Sequence, residues 1–83
     1  MTLHGAVVNE QGVTFAIVVV THSAIVDPAR TRASFQGLFP RLPLVLASQD
    51  AFGTFEYQGR RDLVNFLASI DSSRIPWKEY PVS

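Results

Sequence analysis

The chain contains no cysteine, which excludes a disulfide framework, a thiolate metal site and thiol redox chemistry. It has no net charge either. Seven Lys and Arg balance seven Asp and Glu, so no general field draws in nucleic acid or an anionic membrane surface. Long apolar runs are also missing: the longest, Phe15 to Val20, is six residues, against roughly 20 for a helix that crosses a bilayer. The opening Met1-Thr2-Leu3-His4-Gly5 lacks the cationic start and apolar stretch of a secretory signal, so a soluble, cytoplasmic protein without membrane contact is expected.

Apolar types make up 47% of the 83 residues and charged types only 17%, which favours a packed core over a disordered chain. The length predicts a single domain, 1–83, near the lower limit for a core that needs no staples. Leu3 to Val8, the turn Asn9-Glu10-Gln11-Gly12 and Val13 to Val20 read as a β-hairpin. Its second arm is apolar on both faces, as a central strand covered on both sides should be.

Asp27-Pro28 has the form of a helix start, with a capping carboxylate and proline at the first helical position, and predicts a short helix from about Pro28 to Phe39. Gly37 weakens it and Pro40 ends it. A second hairpin follows: Leu42 to Ala47, a turn over Ser48 to Gly53, then Thr54 to Tyr57. Leu63, Phe66, Leu67 and Ile70 recur at helical spacing and place a second helix over Arg60 to Ile70. Ile75 to Val82, with Pro76 and Pro81, reads as an edge strand or a strap across the sheet.

The order β-β-α-β-β-α-β predicts an α+β domain with a mixed sheet, faintly resembling two hairpin-plus-helix units. A ferredoxin-like variant, with both helices packed on one face, uses every element. Residues 42–70, with Pro43 opening a strand, a hairpin, and Gly59 and Asp62 leading into a helix, resemble the C-terminal half of thioredoxin-like proteins, glutaredoxins included. That resemblance implies a cis proline at Pro43 beside an active site and a truncated thioredoxin-like fold. Because no Cys-x-x-Cys is present, redox catalysis does not carry over.

Three sets of residues are candidates for a site. Gly59, Arg60 and Arg61 put two guanidinium groups beside the free N–H groups that open the second helix, an arrangement suited to a small anion, although both arginines also have Glu56 and Asp62 as nearby partners. Arg30 and Arg32 repeat the pattern at the first helix, which a ferredoxin-like plait would place at the opposite end of the sheet. The alternative site is His22 and Ser23, with Asp27 near and Pro43 from the resemblance, in the loop position where open α/β sheets often carry ligands. Asp27 is already used as a cap. His4 and His22, with Asp50 or Asp27, have no ligand-like spacing, so neither a metal nor a cofactor is implied.

Trp77, Tyr80, Phe52 and Tyr57 form either an aromatic contact surface or, for Trp77, core beneath the second helix. If both helices cover one face, the other face of the apolar central strand needs a cover, which predicts a homodimer or a protein partner. The reading is a small non-enzymatic interaction or ligand-binding domain. The alternative is a degenerate thioredoxin-like protein or small enzyme using the His22 loop near Pro43.

Overall fold

A computed structural model of the chain describes residues 2–10 and 12–81; Met1, Gln11 of the first expected turn, Val82 of the last expected strand and Ser83 lie outside them. Five strands form one mixed sheet, β1 (Thr2–Glu10), β2 (Val13–Val19), β3 (Leu44–Gln49), β4 (Phe55–Gln58) and β5 (Lys78–Pro81), in the order β4-β3-β2-β1-β5. Among the described strands, β2 and β3 pair in parallel and the other neighbours are antiparallel. The helices are α1 (His22–Ile25), α2 (Pro28–Phe35) and α3 (Arg61–Ser69). The α+β class stands. The very short α1 has no counterpart in the expected element order.

The helices do not share a face. Along β2, Phe15 and Ile17 join Val45, Ala47, Leu63 and Leu67 in a core beneath α3. Ala16 and Val18 join Leu3, Leu44 and Phe39 in a second core, which Phe35 and Leu42 cover from the α2 side. Both faces of the central strand are thus covered by the chain itself from Phe15 to Val18, with Phe15, Ile17, Val18 and Val45 fully buried. Each such side chain contributes about 1.5–3 kcal/mol relative to exposure. The expectation of an uncovered sheet face is corrected accordingly. So is the plait, in which the strands flanking the first helix are separated by another strand, whereas β2 and β3 are direct neighbours.

Local chemistry explains the differences in the first helix. Asp27 stands at its N-cap position, but its carboxylate makes no capping bond, and Pro28 starts the helix. From Gln36 to Leu38 the helix tightens to a 3₁₀ turn around Gly37. The Gln36 side-chain amide then donates to the carbonyls of Phe39 and Leu42, both at 2.9 Å, and fixes the descent into β3. Few of the residues in α2 are apolar, so it covers its face mainly through Phe35 and the following Phe39.

At the β1–β2 pairing the backbones run close where Gly5 faces Val18. A Cβ on Gly5 would stand 2.5 Å from the Ile17 carbonyl oxygen, a contact no larger residue relieves without parting the strands.

A candidate binding surface at one end of the sheet

Because β2 and β3 are parallel, both finish at the same end of the sheet, and the antiparallel β1 and β4 begin there. Ligands of open α/β sheets commonly bind at such an end. An open cleft of about 500 Å³ lies there, bordered by Leu3 and His4 of β1, Val19, Val20 and Thr21 at the close of β2, Ala24 of α1 and Phe35 of α2. Its walls are mainly apolar. On the opposite sheet face a smaller hollow of about 280 Å³ shares His4 and Val19 and adds Gln49, Phe55 and Trp77.

The β3–β4 turn stands at the same end. Asp50 organises it: its Oδ1 accepts from the N–H groups of Phe52 at 2.8 Å and Thr54 at 2.9 Å, and its own N–H donates to the Thr54 carbonyl at 2.9 Å. Gly53 N–H donates back to the Asp50 carbonyl, and the Gln49 amide donates to Gly53 O at 3.0 Å. This hydrogen-bonded turn holds up Phe52, which is 94% exposed. Val26, between α1 and α2, is 74% exposed at the same end.

His22 opens α1 at this end, with Nδ1 3.9 Å from Glu56 Oε2. Ser23 Oγ lies 3.1 Å from Thr21 Oγ1, so its hydroxyl is engaged beside His22 rather than with it. Pro43 is elsewhere. Its carbonyl accepts from Ala16 N–H at 2.9 Å at the start of β3, and at about 3.3 Å per residue the run from Ala16 to Val20 separates it from His22 by more than ~10 Å. The structure therefore does not bring His22 and Ser23 together with Pro43. The cis bond that the resemblance implies at Pro43 is absent: the Leu42–Pro43 bond is trans, and the described residues contain no cis peptide bond.

Gly59, Arg60 and Arg61 lie at the far end of the sheet, where α3 begins. Arg60 bends onto the first turn of its own helix, with Nε donating to Asp62 Oδ1 at 2.8 Å and Nη2 to Oδ2 at 2.7 Å. This two-pronged bond holds the Asp62 carboxyl below its usual range. The helix start thus already has a carboxylate of its own. A Cβ on Gly59 would come within 3.2–3.3 Å of Val45 Cγ2 and the Leu44 carbonyl, so its glycine serves close packing on β3. Arg61 is exposed. In α2, Arg32 Nε is buried with no hydrogen-bond partner among the described residues.

His4 pairs at 3.9 Å with Glu79, its cross-strand neighbour, rather than with Asp50. Among the described residues no three His, Asp or Glu side chains gather as a metal site. The four aromatics disperse. Trp77 stacks on Phe55, which stacks in turn on Tyr57, all three packed on the α3-side core, and Tyr80 meets Phe39 edge to face on the other side of the sheet. Trp77 is half-buried and packs against that core, nearer to the second of its two expected roles than to a free aromatic surface. Only Phe52 faces solvent, and the signal for its rigid turn is in the chain: Asp50 and Gly53 occupy the first and fourth positions of a β-turn.

No family model matches the chain, and neither a curated protein nor a solved structure matches it. No helix among the described residues is long and apolar enough to cross a membrane.

Proposed function

We propose that this protein is a small non-enzymatic binding domain that works through the end of the sheet where β2 and β3 finish. The observation that carries this reading is the concentration of water-facing apolar surface there. The cleft walled by Leu3, Val19, Val20, Ala24 and Phe35 opens at the end that also bears Phe52 and Val26. Leaving a phenyl ring in water forgoes about 2 kcal/mol of burial, and a turn that fixes it there with five hydrogen bonds suits a contact residue. Catalysis fits less well, because the polar groups at this end, His22, Ser23, Thr21 and Glu56, are exposed and carry no nucleophile-to-base bond. The thioredoxin-like alternative needs His22 and Pro43 in one pocket, and no observation favours it.

An aromatic probe tests the reading. Titration with phenol, followed through amide shifts, is expected to move Leu3, Val20, Ala24 and Phe35 in a saturable way at millimolar concentration. No shift at these positions up to the solubility of phenol removes the cleft as a binding site.

A further inference from the structure

We propose that the cleft receives the Phe52 ring of a second copy of this chain, and that two copies exchange these rings about a two-fold axis. The proposal rests on the reading of this end as a binding surface and names its partner.

The knob and the hole belong to the same end of one molecule. Phe52 tips the turn after β3, and the cleft lies beside the close of β2 and the start of β1. With strands about 4.8 Å apart, the two stand roughly 10 Å from each other across the sheet. A knob and a hole on opposite ends of a molecule build open chains, but side by side on one surface they close as a reciprocal pair in which each copy gives and receives. The hole is apolar where a ring would sit, on Leu3, Val20, Ala24 and Phe35. The backbone that carries the knob is fixed in advance by Asp50 and Gln49, so little backbone freedom is lost on docking.

Charge does not oppose the pairing, since a chain of zero net charge does not repel its copy. The carboxylates near the knob are Asp50, occupied by its own turn, and Glu56, which stands 3.9 Å from His22, whereas the cleft is edged by His4, itself paired with Glu79. Area sets the strength. At about 200 Å² per ring and a similar area from each receiving cleft, two seated rings bury on the order of 800 Å², below the stable-dimer class and within the weak, reversible one.

Sedimentation velocity over micromolar to millimolar concentration is the test, using the wild type, Phe52→Ser, which loses the knob, and Ala24→Trp, which fills the hole. The wild type is expected to pass from monomer to dimer, and each variant to bind about a hundredfold more weakly, tenfold for each lost ring. Mixing the two variants is decisive, because the intact hole of one receives the intact knob of the other. A mixed dimer is then expected to form where neither variant alone forms one. A wild type that stays monomeric, a Phe52→Ser protein that dimerises normally, or a mixture no stronger than its components overturns the proposal.

Should Ala24→Trp fail to fold by circular dichroism, isotope-filtered contacts between Phe52 of one copy and Leu3 or Val20 of an unlabelled copy decide the matter; their absence in a dimer overturns it. Phenol binding by a strictly monomeric protein retains the binding surface and rejects the second copy as its occupant. Failure of phenol to bind at all rejects both.

Discussion

Trp77 lies against Phe55 with ring centroids 5.3 Å apart and planes within 23°, although Trp77 directly precedes β5 and Phe55 opens β4, the opposite edges of the sheet. The contact spans three intervening strands on the α3 side. Small residues make it feasible, since Ala6 and Ala47 are the core positions of β1 and β3 near this end of the sheet. The segment between α3 and β5 is thereby drawn across the sheet face, with the indole N–H donating to the Ser72 carbonyl at 3.0 Å.

A double-mutant cycle with Phe55→Ala and Trp77→Ala is expected to give a coupling of about 1 kcal/mol, measured by urea unfolding. Trp77→Phe keeps the stacking and loses the bond to Ser72, at a cost of about 1 kcal/mol. Trp77 is the chain's single tryptophan, so its fluorescence reports this contact directly in the wild type and in Phe55→Ala.

Gly5→Ala is expected to destabilise the fold by at least about 2 kcal/mol, because its methyl group meets the Ile17 carbonyl and not a movable side chain. Gly37→Ala, where a Cβ meets nothing within 4 Å, is the control and is expected to leave stability unchanged or raise it. Midpoints of denaturant unfolding for the two variants check the contrast.

Arg41 holds a left-handed backbone with φ of 71° in the turn before β3. A β-branched residue is poorly suited to that region, so Arg41→Val is expected to lose about 1–2 kcal/mol. Arg41→Gly relieves the strain and gives back part of the gain through a freer unfolded chain, so its stability is expected to equal or exceed that of the wild type. Equal unfolding midpoints for the Val and Gly variants contradict this assignment.

Asp62 and Asp71 both titrate below the usual carboxylate range, Asp62 chiefly through its bond from Arg60 and Asp71 through the Ser73 backbone N–H. A folded-state pKa below the unfolded value means that the charged form stabilises the fold above the unfolded pKa. That stability is lost as pH falls through the folded pKa. Acid unfolding is therefore expected to draw on these two groups only below about pH 4. Carboxyl shifts measured by NMR check the direction, and in Arg60→Gln the Asp62 midpoint is expected to rise.

Local pattern made much of this architecture readable. Leu63, Phe66 and Leu67 mark α3 by spacing alone, and the doubly apolar run through Phe15, Ile17 and Val18 marks a central strand. What the pattern does not encode is the side of the sheet each helix takes. α2 carries few apolar residues and little periodicity, so nothing within Pro28–Phe35 distinguishes one face from the other. That choice follows from Phe35 and Phe39 reaching Ala16 and Val18, a long-range packing fact.

The candidate sites divide in the same way. Asp50 and Gly53 mark a turn from sequence alone, yet the exposure of Phe52 depends on there being no neighbour to cover it. His22 and Pro43 are brought near by analogy and held apart by the parallel strands between them. Arg60 and Arg61 mark a helix start correctly, but the hold of Asp62 on Arg60 is a rotamer choice that spacing leaves open.

The pairing of β1 with β5, running from Thr2 against Pro81 to Gly5 against Lys78, joins segments almost a full chain length apart. Such a contact closes the largest loop in the molecule and is the costliest to form early, so β5 docks late on the folding route. The same hydrogen bonds are then the natural first point of local opening. Amide exchange should be fastest there, with β2 and β3 opening last, and transient release of β5 would bare the outer edge of β1 beside Leu3, a hazard during folding that the two prolines flanking Trp77 to Tyr80 help to contain.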